Sequence, residues 1–170
     1  MADAPTGGSE ALRFAADRML GRLARWLRIL GHDVAYGPHL GGRTLVSCAR
    51  REGRVILTRD TRLKRDRELP PHLFLESDHF REQLKQVASA VALSTDGMLR
   101  RCLDCNRLLD EVPRERVQDR VPPYVFATND RFLECGGCGR FYWPATHRDH
   151  MLRELAGLGL VREPVAEEAR

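Results

Sequence analysis

The chain has 170 residues, with 28 lysines and arginines against 24 aspartates and glutamates, and 42% of it is apolar. That length holds one ordinary domain, or a small one with a metal-stapled module, and no apolar run approaches the roughly 20 residues that span a bilayer; a soluble, cytoplasmic protein is expected and a membrane protein excluded. The charge is uneven: residues 18–67 carry 13 basic and 4 acidic side chains, a local +9, whereas residues 99–170 carry 12 of each, and such a field attracts polyanions, nucleic acid first.

Residues 1–11, rich in Ala, Gly, Asp and Ser, read as disordered. Leu12 to Ala16 reads as a first strand ending at Asp17. Met19, Leu20, Leu23, Trp26, Leu27 and Leu30 then recur at helical spacing, and Gly31 closes that helix. Val34 to Tyr36 is a short second strand, and Thr44 to Arg51 a second helix between Gly41-Gly42 and Gly53. Val55-Ile56-Leu57 is a continuous apolar run, as expected of a central strand buried on both faces, and it leads into Thr58-Arg59-Asp60. An arginine-rich stretch follows. His72 to Leu75 supplies a fourth strand that runs into Ser77-Asp78, before a helix from Phe80 to about Ala92. Alternating strands and helices of this kind predict a parallel sheet covered by helices over residues 12–94. Cys48, beside Leu45 and Ala49, reads as a buried helix residue. Ser94 to Gly97 is a linker.

Beyond it, Cys102-Leu103-Asp104-Cys105 and Cys135-Gly136-Gly137-Cys138 are two CxxC pairs. Each tight turn presents two thiolates to one tetrahedral ion, and two turns complete a closed four-sulfur structural zinc site. Asn106 and Gly139 suit the sharp turn after each pair, since both tolerate positive φ. Two disulfides would require an oxidising compartment, which no apolar leader supports. The module is expected to span residues 99–158, with Pro113, Pro122 and Pro123 breaking its middle, a helix from His147 to Leu158, and a flexible tail over 159–170. His147 and His150 share a helical spacing, but four thiolates already satisfy the zinc. Tyr142-Trp143 offers an aromatic pair for stacking on a base, with packing of the ribbon as the competing use.

In an open parallel sheet, ligands gather outside the carboxyl ends of the strands. Asp17, Asp60 and Asp78 all fall there. Three carboxylates converging on one edge repel one another unless a hard cation such as Mg²⁺ or Mn²⁺ lies between them, which suits phosphodiester hydrolysis. Each aspartate has a competing role as a helix N-cap. Arg18, Arg22 and Arg25 recur on the polar side of the first helix, and Arg59, Arg62 and Arg65 follow the third strand. They are positioned to hold the phosphates of RNA, or else form a solvated face. A phosphoacceptor receiver also places aspartates at strand ends, but it needs a lysine after a later strand; the only lysine after Asp78 is Lys85, inside a helix.

The run Phe14-Ala15-Ala16-Asp17-Arg18-Met19-Leu20-Gly21, with Leu23-Ala24-Arg25-Trp26-Leu27-Arg28, Gly31-His32-Asp33, Ile56-Leu57-Thr58-Arg59-Asp60 and Arg81-Glu82-Gln83-Leu84, resembles the Mut-seven C-terminal RNase family. So do Arg101-Cys102-Leu103-Asp104-Cys105-Asn106, Val121-Pro122-Pro123 and Cys135-Gly136-Gly137-Cys138-Gly139-Arg140-Phe141-Tyr142-Trp143. The resemblance spans about residues 12–155. It implies a PIN-like α/β domain, a parallel sheet with helices on both faces, followed by a small zinc ribbon. It also implies an RNase-type activity with Asp17, Asp60 and Asp78 as its metal ligands, and the leading expectation built on it is a divalent-metal-dependent ribonuclease in which the ribbon places single-stranded RNA across these carboxylates. The alternative is a non-catalytic module that grips nucleic acid or a protein through a degraded site. PIN-like domains usually add an acidic residue after the second strand, where this chain has His39-Leu40-Gly41-Gly42-Arg43-Thr44. Asp33 lies at the wrong end of its strand to replace it and reads as structural.

Overall fold

The computed structural model describes residues 12–143 and 147–160, the side chains of 147–150 excepted; the segment expected to be disordered, residues 1–11, lies outside this range. Four short strands, β1 (Phe14–Ala16), β2 (Val34–Ala35), β3 (Val55–Thr58) and β4 (His72–Phe74), form an all-parallel sheet in the order β2-β1-β3-β4. Phe14, Ala15 and Ala16 of β1 pair in register with Val55, Ile56 and Leu57 of β3. Strand periodicity then sends alternate residues to opposite faces. Phe14, Ala16 and Leu57 enter a core with α1 (Gly21–Ile29) and α3 (Phe80–Ala90), while Ala15 and Ile56 pack against Leu45, Val46, Cys48 and Ala49 of α2 (Arg43–Glu52). Helices therefore cover both faces, and Cys48 is a core residue.

The glycines end the helices as the sequence requires. Gly31 (φ +98°) and Gly53 (φ +61°) adopt conformations that side chains rarely tolerate. A side chain at Gly31 would also overlap the backbone of Gly97, so the linker docks directly on the end of α1, where the Leu99 N–H donates to Ile29 O at 2.8 Å. Met19 departs from its expected place on the apolar face: residues Arg18–Leu20 form a 3₁₀ turn, whose tighter winding turns Met19 outward to 52% exposure.

The second unit is an antiparallel sheet of β5 (Asp110–Val112), β6 (Phe132–Glu134) and β7 (Phe141–Tyr142), with α4 (Pro123–Thr128) between its first two strands. Proline at the first position of α4 costs no hydrogen bond, because that N–H would have no helical partner. The last helix, α5 (His147–Gly157), does not stay with the ribbon. Its Leu155 is fully buried in the core of α1 and α3, Met151, Leu158 and Leu160 pack there too, and Glu154 pairs with Arg81 of α3 at 2.5 Å. Of the tail expected over 159–170, Leu160 makes core contact and residues 161–170 lie outside the described residues. The side chains of His147 and His150 lie outside the described residues.

Candidate functional site

The connections of the sheet locate its crevice. From β1 the chain passes through α1 to β2 on one side, and from β3 it passes to β4 on the other. Adjacent strands whose connections leave in opposite directions open a gap at their carboxyl ends, the place where doubly wound sheets bind ligands. Asp17 follows β1 and Asp60 lies two residues past β3, so both stand at this gap.

Thr58, the last residue of β3, ties them together. Its hydroxyl donates to Asp17 Oδ2 at 2.8 Å and accepts the Asp60 N–H at 3.0 Å. The Asp17 N–H donates to Leu57 O at 2.9 Å. Asp17 is almost wholly buried, 1% exposed, and its Oδ1 accepts no hydrogen bond from the described residues. A methyl group placed on Gly41 would sit 3.6 Å from that oxygen and 3.4 Å from Arg18 Cδ. The segment His39–Thr44, where the sequence lacks a carboxylate, therefore does close over Asp17, and the Arg18 N–H fastens it by donating to Leu40 O at 2.7 Å. Sequence reasoning assigned Thr58 no role; its signal is a hydroxyl ending an otherwise apolar strand.

Asp60 has a second partner. Arg62 chelates it, Nε to Oδ1 and Nη2 to Oδ2 at 3.0 Å each, and the Arg62 N–H also donates to Oδ1 at 3.0 Å. This hydrogen-bonded guanidinium holds the Asp60 carboxyl below the usual carboxylate range, with Arg18 adding a smaller effect in the same direction. Asp78 stands apart. β4 ends at Phe74, and the intervening Leu75, Glu76 and Ser77 carry Asp78 to an exposed position at the start of α3, 3.7 Å from His79 Nε2. There it lines a shallow cleft of about 380 Å³ with Met19, Arg22 and Phe80. Among the described residues, the three aspartates do not come within the 4.8 Å mutual spacing that the four cysteines reach.

Of the arginines, Arg18 and Arg25 are exposed, Arg22 is exposed with its guanidinium 4.1 Å from the centroid of the Phe80 ring, and Arg62 is committed to Asp60. Arg59 is half-buried, and its Nε has no hydrogen-bond partner among the described residues. Arg28 belongs elsewhere. It is 3% exposed and donates to Val34 O and to Leu103 O and Asp104 O, bolting the first CxxC turn to the sheet. Asn106 completes the joint: its Oδ1 accepts the N–H of Val34 on the edge strand β2 at 3.0 Å, and its Nδ2 donates to Asp33 at 2.7 Å. Asp33 is structural as expected, paired also with Arg54 at 2.6 Å.

Cys102, Cys105, Cys135 and Cys138 present four sulfurs within 4.8 Å of one another, with the pairs Cys102–Cys138 and Cys105–Cys135 at 3.6 and 3.2 Å. Zn–S bonds of about 2.3 Å at tetrahedral angles place sulfurs roughly 3.8 Å apart, against about 2.05 Å in a disulfide, so the cluster suits a zinc ion and not two disulfides. The two turns are copies of one design. The Asn106 N–H donates to Cys102 O and the Gly139 N–H to Cys135 O, with φ of +68° and +70° at the two donors, both anticipated from sequence. Burial opposes ionisation of Cys102, but backbone N–H groups and the Tyr142 hydroxyl at 3.1 Å hold its thiol down to about 6, whereas burial and the neighbouring Cys135 sulfur push the Cys105 thiol up, so without an ion the surroundings favour the thiolate at Cys102 and not at Cys105. The Tyr142 hydroxyl is thereby part of the metal centre's surround.

A family model described as the Mut7-C RNAse domain matches residues 12–155. Comparison with curated proteins finds no match, and comparison with solved structures finds none.

Proposed function

Because the chain belongs to the Mut7-C RNAse domain family, we propose that it is a divalent-metal-dependent ribonuclease acting on single-stranded RNA, with the four-cysteine ribbon as its structural partner in RNA binding. The observation that carries this reading is the pair Asp17 and Asp60, joined through Thr58 at the crevice of a parallel sheet and flanked by arginines. The donor set fits a hard divalent cation: two carboxylates, one with an oxygen that accepts no hydrogen bond from the described residues, at a spot where Arg62 and Arg18 supply positive charge beside Asp60. A magnesium or manganese ion held there would act as a Lewis acid on the phosphodiester. Thr58 fixes the orientation of Asp17, burial keeps bulk water from that carboxylate, and Arg18, Arg22, Arg25 and Arg59 contribute phosphate contacts. Asp78 is assigned to the mouth of the cleft, as a carboxylate that meets the substrate strand beside Arg22 or closes on the cation.

The test is cleavage of end-labelled single-stranded RNA in the presence of Mn²⁺. Asp17→Asn and Asp60→Asn should each abolish it with thermal stability retained, and Asp78→Asn should reduce it less. Undiminished cleavage by Asp60→Asn would place the chemistry elsewhere. One observation favours a second reading, binding without cleavage: Arg62 already neutralises Asp60. RNA retention without any product, in every divalent metal tried, would select it.

A further inference from the structure

Arg62 is too exposed to be a structural counter-ion and too well aligned to be incidental. Its side chain is 84% accessible, yet the Nε–Nη2 edge of its guanidinium meets both oxygens of Asp60, whose own side chain is only 11% accessible. A guanidinium chelating a carboxylate through two parallel N–H bonds satisfies the same oxygens a divalent cation would use. It also brings a positive charge next to Asp17, whose carboxylate in turn stabilises the charge on Arg62. Solvent-exposed ion pairs are the weakest and most salt-sensitive of their kind, and a phosphate offers arginine the same two-pronged acceptor geometry as a carboxylate.

We propose that Arg62 is a latch that makes metal binding depend on RNA: with no substrate it chelates Asp60 and opposes the divalent cation, and an arriving RNA phosphate draws it away and opens Asp60 to the ion. The proposal rests on the ribonuclease reading above and adds its regulation. Free enzyme would bind metal poorly, and metal and RNA would bind with positive coupling. Linkage requires that coupling to be equal in both directions.

The experiment uses the full zinc-loaded chain. Mn²⁺ affinity is measured by calorimetry with and without a hydrolysis-resistant 2′-O-methyl phosphorothioate decamer, and decamer affinity by fluorescence anisotropy with and without saturating Mn²⁺. For the wild type, the decamer should tighten Mn²⁺ at least about fivefold, the low end of ordinary coupling, and Mn²⁺ should tighten the decamer by the same factor. Arg62→Ala and Arg62→Gln should bind Mn²⁺ without RNA about as tightly as wild type does with it, and the coupling should vanish. Matched thermal melts establish that both variants fold. Unchanged Mn²⁺ affinity in both variants, or coupling that survives them, overturns the latch while leaving the ribonuclease reading intact if Mn²⁺ still binds and RNA is cut. Absence of Mn²⁺ binding in every protein and condition overturns both together.

Discussion

Removing zinc should unfold far more than the ribbon. The buried guanidinium of Arg28 has four hydrogen bonds to carbonyls, and half of them, to Leu103 O and Asp104 O at 2.8 Å, end on the turn between Cys102 and Cys105. Without an ion, nothing holds four thiols at this spacing, the turn opens, and those two acceptors leave. A hydrogen bond to a charged group contributes about 1.5–3 kcal/mol, so two amount to about 3–6 kcal/mol before the Asn106 contacts to Val34 and Asp33 are counted. Ordinary domains have a total stability of about 5–15 kcal/mol. The sheet domain should therefore lose a large part of its stability, about 10 °C or more in melting midpoint for a chain of this size.

The assay is chemical and thermal denaturation of zinc-loaded and chelated protein, read by tryptophan fluorescence in a Trp143→Phe background. The remaining indole, Trp26, stacks on Phe80 in the core of α1 and α3, far along the chain from the four cysteines of the metal centre. Its transition should move with zinc occupancy, and Cys102→Ser should reproduce the shift. An Arg28→Met variant should melt low and respond weakly to chelation, because its link to the turn is already cut. A Trp26 transition unaffected by zinc removal would refute the coupling and leave the ribbon an independent module.

Acid should weaken the same joint. Burial alone would raise the Asp33 carboxyl, but its hydrogen bonds to Arg54 and Asn106 outweigh this and leave it below its ordinary value. The stability it contributes is then present above about pH 4 and is lost as pH falls through the lowered folded-state value, so Asp33→Asn should flatten the acid limb of a stability profile below about pH 4. RNA binding should weaken steeply with salt, and Arg22→Glu with Arg25→Glu should lower the logarithmic salt slope by about 1.4, the share of two phosphate contacts on a single strand; an unchanged slope would make that helix face merely solvated.

The elements of the sheet domain are legible in the sequence because their signals are local. Apolar periodicity marks α1, α2 and α3, the continuous run Val55-Ile56-Leu57 marks the buried strand, and Gly31 and Gly53 mark the stops. The cysteine spacing announces the metal centre for the same reason. Contacts between residues about 70 apart carry no such local mark. Arg28 sits in the basic stretch as one arginine among many, and only the fold shows it bonded to Leu103 and Asp104. Leu155 looks like part of a separate tail helix until it is found in the first core. Arg54 and Arg62, counted as free positive charge, spend theirs on Asp33, Glu52 and Asp60. Those three acids are among the four already subtracted in the +9 of residues 18–67, so the pairings leave that excess unchanged and place it on the other basic residues.

The missing carboxylate shows how far one residue of register matters. The sequence locates the gap at Gly41-Gly42, and the fold separates the two. Gly42 has φ +53° and ψ −127°, a region essentially confined to glycine, and a side chain there would meet nothing within 4 Å. Aspartate at Gly42 would cost about 1–3 kcal/mol in backbone strain, and its Cβ would stand clear of Asp17. Gly41 has no such strain, and its missing side chain points between Asp17 Oδ1 and Arg18. Gly41→Asp should place a third carboxylate against Asp17. Without metal the two charges repel, so the variant should melt below wild type; with Mn²⁺ the repulsion becomes attraction, and the metal-induced rise in melting midpoint should exceed that of wild type. Gly42→Asp should melt low with or without the ion. If Gly41→Asp gains nothing from Mn²⁺, the new carboxylate has paired with Arg18 instead, and the crevice between β1 and β3 is not where the cation is held.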